Sequence, residues 1–240
     1  MSWHGKRLAG LDFETTGVDP ETDRIVSAAV VARGGGLATY RRTWLADPGI
    51  DIPAGATALH GITTEYARQE GRPAAEVVEE VAAAVVAAVT SGCPLVVMNA
   101  PFDLTLLDRE LRRHGLAPLT DRCVPYVLDP RVLDKQVSRR SGSRTLTDLA
   151  RHYVVPLDGA HSADADALAA CAVVWKIANR YKWLGCMPLP RLHALQVEWA
   201  ATQQDSLREY FARTPGKEHL SQGVRLDWPM IPAPLMAGGR

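Results

Sequence analysis

The chain has 240 residues, enough for one large domain with appendages at roughly 150 residues per domain. Its 27 basic and 27 acidic residues cancel, which excludes the overall basic excess of a protein that coats nucleic acid without regard to sequence. Its 4 cysteines have neither CxxC spacing nor the density of a disulfide scaffold, which fits a reducing compartment, and we interpret them as reduced core thiols. Nucleic acid would have to be held locally or through metal ions.

Three strands are predicted at the start of the chain. Residues 8–14, 24–32 and 37–44 are apolar or alternating, and the triple glycine at 34–36 predicts a hairpin turn. The glycines are not followed by the GK[ST] sequence of a phosphate loop, so the hairpin is the better interpretation. We therefore expect an antiparallel meander.

The sequence predicts neither export nor membrane insertion. The apolar stretch before Asp12 is too short for the hydrophobic region of a signal peptide. The most apolar window, residues 81–89, falls far below the ~20 residues that a membrane span requires. We expect a cytoplasmic protein with no membrane contact.

Helices and short strands alternate through the middle of the chain. They are predicted at residues 74–90 (helix), 94–98 (strand), 101–114 (helix), 122–127 (strand), 145–153 (helix) and 162–181 (helix). Pro73 fits a first helical position, and Asp129-Pro130 fits an N-cap followed by a helix, which makes Asp129 structural. The order predicts an α/β fold with a mixed five-stranded sheet flanked by helices.

A C-terminal helical extension follows. Apolar residues recur near helical spacing, so we assign residues 1–186 to the main domain and 187–214 to an amphipathic helix. We expect this helix to pack on its own core, with contact between two copies as the alternative, so a monomer and a homodimer stay open. The Pro- and Gly-rich residues 215–240 predict a flexible tail.

Asp12 and Glu14 stand together at the end of the first predicted strand. Side chains two residues apart on a strand project from the same face, whereas Phe13 turns away. Two adjacent carboxylates repel, and burying them without a cation costs several kcal/mol. They indicate a cation site, unless the strand ends at the surface with both acids solvated.

Two further acidic segments lie at the starts of predicted helices. In the segment NAPFD, Asp103 alone is explained as a partner of the helix dipole. In the segment HSADAD, Ser162 alone is explained as an N-cap that precedes acids in the first turn. Taken singly, neither segment requires a catalytic role.

Taken together, the three segments resemble exonuclease motifs I, II and III of the DEDDh exonuclease superfamily, which read DxE, an Asp after N-A-x-F, and H-x-A-x-x-D. The segment HGIT at residues 60–63 is similar to that of the DNA polymerase III epsilon (proofreading) branch. The resemblance covers about residues 8–181 and implies a ribonuclease H-like fold. One departure is Met98, because the family often has His before the Asn of motif II.

The resemblance implies a role for each matching residue. The implied metal ligands are Asp12, Glu14, Asp103 and Asp166. His161 is implied as the general base, whereas Asp164 has the wrong offset and stays structural. Hard carboxylate oxygens favour two divalent cations, Mg²⁺ or Mn²⁺. The expected substrate contacts are Thr15, Thr16, His60, Asn99 and Phe102.

The implied activity is 3′-to-5′ exonuclease action that releases nucleoside monophosphates from DNA, with single strands preferred. The alternatives are an exoribonuclease that trims RNA and a nucleic-acid-binding module without catalysis. Arg139, Arg140 and Arg144 form either a mobile flap over the phosphate backbone or a solvated loop. The tail could dock a polymerase or another protein, which would connect the chain to replication or repair.

Overall fold

The computed structural model describes residues 2–138, 140–157, 159 and 161–233. Its strands are β1 (Arg7–Thr15), β2 (Ile25–Gly34), β3 (Leu37–Asp47), β4 (Arg72–Pro73), β5 (Leu95–Val97) and β6 (Val127–Leu128). Its helices are α1 (Ala54–His60), α2 (Thr64–Glu70), α3 (Ala74–Thr90), α4 (Ala100–Arg113), α5 (Leu119–Arg122), α6 (Pro130–Val137), α7 (Leu146–Tyr153), α8 (Ala163–Arg180), α9 (Lys182–Gly185) and α10 (Leu189–Arg213).

The strands form a mixed sheet in the order β4-β3-β2-β1-β5-β6. The first three strands are antiparallel, as predicted, and β5 and β6 continue the sheet in parallel with β1. This arrangement confirms the α/β class with helices around a mixed sheet. The predicted number of strands was wrong, because Arg72–Pro73 adds a two-residue edge strand beside β3. It is too short to give a period-two pattern, and Pro73 suits an edge because it lacks an N–H.

Two other boundaries differ from the prediction. The strand expected at residues 122–127 is mostly loop, because α5 ends at Arg122 and only Val127–Leu128 pairs with β5. Val124 within that segment is 80% exposed, so its apolar character does not mark a buried strand. Pro73 precedes α3 as its N-cap rather than occupying the first helical position.

The sheet buries a hydrophobic core on each face. Ala9, Leu11 and Phe13 of β1 lie in the core beneath α3 and α4. Leu8 joins the other core, beneath α7 and α8. The cysteines are all free in the described chain, but Cys186 is exposed, so the expectation of core thiols was wrong for that residue.

Gly10 allows α8 to lie directly against β1. A Cβ at this position would stand 2.7 Å from the carbonyl oxygen of Ala167 and 2.9 Å from Cys171 Sγ. Only the absence of a side chain permits this approach. The contact brings the first turn of α8 to the carboxyl end of β1.

The helix α10 packs on its own core along the outer edge of β6. Gln196 Oε1 accepts a hydrogen bond from Asp129 N, and its Nε2 donates one to the carbonyl of Val127, both at 2.9 Å. His193 Nδ1 accepts from Val127 N at 3.1 Å. These side chains satisfy backbone groups that an edge strand leaves open.

The chain after α10 returns to the core at Trp228 and Ile231, within the segment 215–240 for which a flexible tail was predicted. Trp228 is 7% exposed, and its Nε1 lies 3.4 Å from Asp129 Oδ2. Ile231 N donates to Thr105 Oγ1 at 2.9 Å. Burial of the Trp228 ring offsets the entropy of ordering this segment. Residues 234–240 lie outside the described residues, and the boundary predicted at residue 186 stays a prediction.

Across the described residues, every helix is too short or too polar to cross a bilayer.

Candidate metal and catalytic site

Three carboxylates converge where β1 meets α8. Asp12 and Glu14 project from the α8 face of the sheet, whereas Phe13 is 7% exposed within the opposite core. Asp166 lies in the first turn of α8. Single carboxylate oxygens of Asp12, Glu14 and Asp166 lie within 4.8 Å of one another. The predicted alternation of the strand thus places two of these acids together, and the approach of α8 at Gly10 brings the third.

Asp103 is the neighbour of this cluster. It lies in the first turn of α4 and is 4% exposed. Burial raises its pKa, and the charges of Asp129 and Glu14 act in the same direction, although hydrogen bonds from its own backbone and from that of Phe13 oppose the shift. Its charge in turn raises the pKa of Asp12.

The acids destabilise each other's charged forms. Burial raises the pKa of Asp12 well above its ordinary value, and the charges of Asp103, Asp166 and Glu14 add to the shift. Burial and the charge of Asp166 raise the pKa of Glu14 to about 7. The pKa of Asp166 is also raised by burial, with His161 opposing. Without a counter-ion, the ionised forms of these carboxylates therefore lower the stability of the folded chain.

The donor set fits divalent cations. It consists of carboxylate oxygens, the hard ligands that Mg²⁺ and Mn²⁺ prefer. Asp166 Oδ1 is buried and has no hydrogen-bond partner within the described ranges. A buried acceptor without a donor is costly, and a cation would satisfy it. The mutual repulsion of the acids would be relieved by the same ion.

We expect Glu14→Gln to stabilise the metal-free protein by a margin that grows as the pH rises from about 5 to about 8. The pKa of Glu14 is higher in the folded chain than its ordinary value. The folded protein therefore binds more protons than the unfolded chain in this window, so this group's contribution to stability falls as the pH rises. At pH 8 the variant should unfold at least ~2 °C above wild type in EDTA.

The comparison with the variant is needed because histidines titrate in the same window with the opposite sign. Burial lowers the pKa of His60 and His193, so their contribution to stability rises with pH. Thermal unfolding would be followed for wild type, Glu14→Gln and Glu209→Gln, an exposed acid of α10. A gap between Glu14→Gln and wild type that shrinks with rising pH would contradict the argument.

Two residues that flank the acids adopt left-handed backbone conformations. Asn99, the N-cap of α4, has φ 59°, and His161, just before α8, has φ 67°. Such conformations cost a non-glycine residue about 1–3 kcal/mol and cluster at functional sites. The backbone N–H of His161 donates to Asp166 Oδ2 at 3.3 Å. The turn therefore fixes His161 beside a predicted metal ligand.

His60 lies close enough to His161 for the charge of one to affect the other. His60 ends α1, and its Nδ1 accepts a hydrogen bond from Ile62 N at 3.1 Å. Burial lowers its pKa, the charge of His161 adds to this effect, and a long contact with the Thr15 carbonyl opposes it. Burial thus favours the neutral form of the His60 imidazole, which lies beside Thr15 at the end of β1.

Thr15 and Thr16 differ in what they offer a substrate. Thr15 is partly exposed, and its hydroxyl donates to the carbonyl of Gly17 at 2.6 Å. Thr16 is 2% exposed, its hydroxyl donates to Asp23 Oδ1 at 2.8 Å, and it accepts from Arg24 N at 3.0 Å. The structure therefore gives Thr16 a role in holding the loop, and its expected substrate contact stays a prediction.

Asn99 and Phe102 lie at the start of α4. Arg131 Nη1 donates to Asn99 Oδ1 at 3.0 Å, and Asn99 N donates to Asp129 Oδ1 at 3.3 Å. Phe102 is partly buried and packs on the core. Asp129 also accepts from Ala100 N at 3.0 Å, in agreement with its predicted structural role.

Arg140 and Arg144 are anchored by an ion pair, whereas the sequence left open a mobile flap or a solvated loop. Arg140 Nε and Arg144 Nε lie 3.2 and 2.8 Å from Asp134 Oδ2. Asp134 is 0% exposed, and its Oδ1 accepts from the hydroxyl of Tyr153 at 2.8 Å. Arg139 lies outside the described residues.

Sequence reasoning missed two basic residues of this region, Arg131 and Lys135. The available signal was their spacing of four residues in the helix that follows Asp129, which places them on one face.

A mixed sheet with carboxylates converging at its carboxyl edge defines a ribonuclease H-like nuclease architecture. The model of the exonuclease family RNase_T matches residues 10–174, and the chain belongs to this family. It is 31% identical over 192 residues to the 3′-5′ exonuclease DinG of Bacillus subtilis (strain 168), a match covering 80% of this chain and 19% of that protein. It is 27% identical over 158 residues to the DNA polymerase III PolC-type of Lacticaseibacillus paracasei, covering 66% and 10%. The chain thus spans less than a fifth of these relatives.

Solved structures share the fold. Exonuclease I of E. coli in complex with a dT13 oligonucleotide superposes with a TM-score of 0.56 at 19% identity, covering 75% of this chain and 43% of that one. Exonuclease I of Methylocaldum szegediense gives 0.61 at 21% identity, covering 86% and 46%. These structures confirm the predicted ribonuclease H-like fold. The family match and the relative named 3′-5′ exonuclease confirm the resemblance to 3′-5′ exonucleases.

Proposed function

We propose that the chain is a metal-dependent exonuclease that removes nucleoside monophosphates from the 3′ end of single-stranded DNA. The observation that carries this proposal is the approach of oxygens from Asp12, Glu14 and Asp166 to within 4.8 Å, beside the buried Asp103. Family membership supports the reaction class. The direction is supported by a relative named 3′-5′ exonuclease, and the substrate by a neighbour bound to a dT13 oligonucleotide.

The four acids would hold two divalent cations, Mg²⁺ or Mn²⁺. When bound, such a pair of ions would supply an activated water and stabilise the entering and leaving oxygens of the phosphodiester. The residues we assign as ligands are Asp12, Glu14, Asp103 and Asp166. Their combined charge of about minus four is balanced by two divalent ions, which accounts for four acids in one site.

His161 would accept the proton of the attacking water. It is exposed, and its backbone bond to Asp166 holds it at the entrance of the site. A histidine suits proton transfer near neutral pH. His60 lies beside Thr15. Both would meet the terminal sugar, where a free 3′-hydroxyl offers a hydrogen bond.

A 5′-labelled oligonucleotide tests the direction of digestion and the preference for single strands. We expect a descending ladder of labelled products with Mg²⁺ or Mn²⁺ and none in excess EDTA. Single strands and mismatched ends should react before paired ends, because splaying paired bases costs a few kcal/mol. Matched RNA tests the exoribonuclease alternative.

Circular single-stranded DNA is the control, because it offers no end and should stay intact. Cutting of the circle, or immediate release of labelled mononucleotide from an otherwise intact strand, would contradict recognition of the 3′ end.

A further inference from the structure

A basic cleft of about 430 Å³ opens beside the acids at the carboxyl edge of the sheet. Its walls include Asn99, Arg131 and Lys135, with Arg144 on the opposite loop. Arg131 and Lys135 are both exposed and lie four residues apart on α6, so they share one face of the helix. Positive charge is therefore concentrated at this cleft, although the net charge of the chain is zero.

Arg131 and Lys135 lack an acidic partner. Arg131 Nη1 donates to Asn99 Oδ1 at 3.0 Å, and Lys135 Nζ donates to the carbonyl of Gln203 at 3.2 Å. Throughout the portion of the chain that is described, neither side chain forms an ion pair. Partial desolvation lowers the pKa of Lys135, and the charges of Arg131 and Arg144 add to this effect. An anion in the cleft would relieve this repulsion.

The opposite wall is also positive, and it is held in place. Arg140 and Arg144 both pair with Asp134, so two guanidinium groups share one carboxylate and leave an excess of positive charge. Arg144 Nη2 also donates to the carbonyl of Arg140 at 2.8 Å. A cleft whose wall is fixed in this way can bind an anion without first ordering the loop.

The basic cleft lies next to the cluster of acids. β5 pairs with β1 in parallel, with Val97 opposite Leu11. Met98 and Asn99 come directly after β5, and Asp12 comes directly after Leu11, so these residues lie at the same edge of the sheet. Ligands of sheets with parallel strands bind at this carboxyl edge. A strand whose 3′ end reached the acids could therefore continue directly into the cleft.

We propose that the basic cleft binds internucleotide phosphates of the substrate strand, upstream of the bond that is cut, through Arg131 and Lys135. This inference rests on the proposed exonuclease function. It explains how a chain without net charge could hold an anionic substrate. Phosphate contacts position a strand without reading its bases. The cleft would therefore favour oligonucleotides over substrates that carry a single phosphodiester, irrespective of base sequence.

The test compares Lys135→Ala with Lys135→Arg, which retains the charge, and with Lys182→Ala, which removes an exposed charge of α9. Each full-length variant is assayed on a single-stranded 12-mer and on the p-nitrophenyl ester of thymidine 5′-monophosphate, which has a single phosphodiester. For Lys135→Ala, kcat/KM on the 12-mer should fall ~10-fold more than on the small ester. Lys135→Arg should recover most of the loss, and Lys182→Ala should match wild type.

Binding gives an independent measurement. The affinity for a fluorescein-labelled 12-mer in EDTA falls with salt, and the slope of log affinity against log salt should become less steep by ~0.7 in Lys135→Ala. An unchanged slope, an equal loss on both substrates, or no recovery in Lys135→Arg would overturn the proposal. If wild type cleaves neither substrate with Mg²⁺ or Mn²⁺, the proposed function fails, whereas the salt slopes still decide whether the cleft binds the strand.

Discussion

Replacing Asp12 with Asn should lower the rate of cleavage at least ~10³-fold while the protein stays folded. Asp12 is the acid that the charges of Asp103, Asp166 and Glu14 all affect, so it lies centrally in the cluster. Loss of its charge would weaken the hold on the two proposed cations, which would contribute several kcal/mol to stabilising the transition state. Single-turnover cleavage of a labelled oligonucleotide with saturating Mg²⁺ would measure this loss.

The thermal stability of Asp12→Asn in the absence of metal should rise, although its rate of cleavage falls. Without metal, Asp12 stands among acids that repel it, so Asp12→Asn should unfold at a higher temperature than wild type in EDTA. The stabilisation of wild type by added Mg²⁺ should be largely lost in the variant. A loss of activity with no change in either thermal measurement would indicate a role other than metal binding.

Asp164→Asn is the matched control. Asp164 belongs to the same segment as Asp166, but it forms an ion pair with Arg41 at 2.9 Å and accepts from Ser162 Oγ at 3.1 Å. We expect this variant to retain activity near that of wild type, because exposed ion pairs contribute little. If Asp12→Asn were as active as Asp164→Asn, the assignment of the metal site would be wrong.

The sequence predicted those parts of the fold that depend on local periodicity. The alternation in β1 placed Asp12 and Glu14 on one face, and the glycine turn after β2 predicted the hairpin with β3. Short or irregular elements left no such pattern. The two residues of β4 are too few to alternate, and Trp228 is buried only because the surfaces of α4 and α10 receive it.

The site was predicted as a set of residues but not as an arrangement. The three acidic segments were visible in the sequence, but the convergence of the first and third depends on Gly10, which lets α8 approach β1. The expected contact of Thr16 with substrate stays a prediction, and the structure adds that the Thr16 hydroxyl bonds to Asp23 and Arg24. In the basic cleft, the spacing of Arg131 and Lys135 on α6 was a signal in the sequence, but Arg144 comes from a separate loop that only the fold brings opposite them.

Replacing His161 with Asn should lower turnover ~10²–10⁴-fold, the usual contribution of a general base. Asn is the better first substitution because it tolerates the left-handed backbone at φ 67° that Ala would strain. The backbone hydrogen bond to Asp166 Oδ2 should therefore persist. An amide side chain cannot accept a proton near neutral pH, so the variant separates proton transfer from the folding of the turn.

The pH profile of the cleavage rate and the binding of metal distinguish whether His161 is a general base or a structural residue. In wild type, the log of the cleavage rate should rise with pH and then flatten once the base is deprotonated, and this rise should be lost in His161→Asn. Stabilisation by Mg²⁺ should be retained, because the ligands are unchanged. His219→Ala, an exposed histidine near the C-terminus, is the control. Cleavage by His161→Asn at the wild-type rate, with the wild-type pH profile, would show that another group accepts the proton.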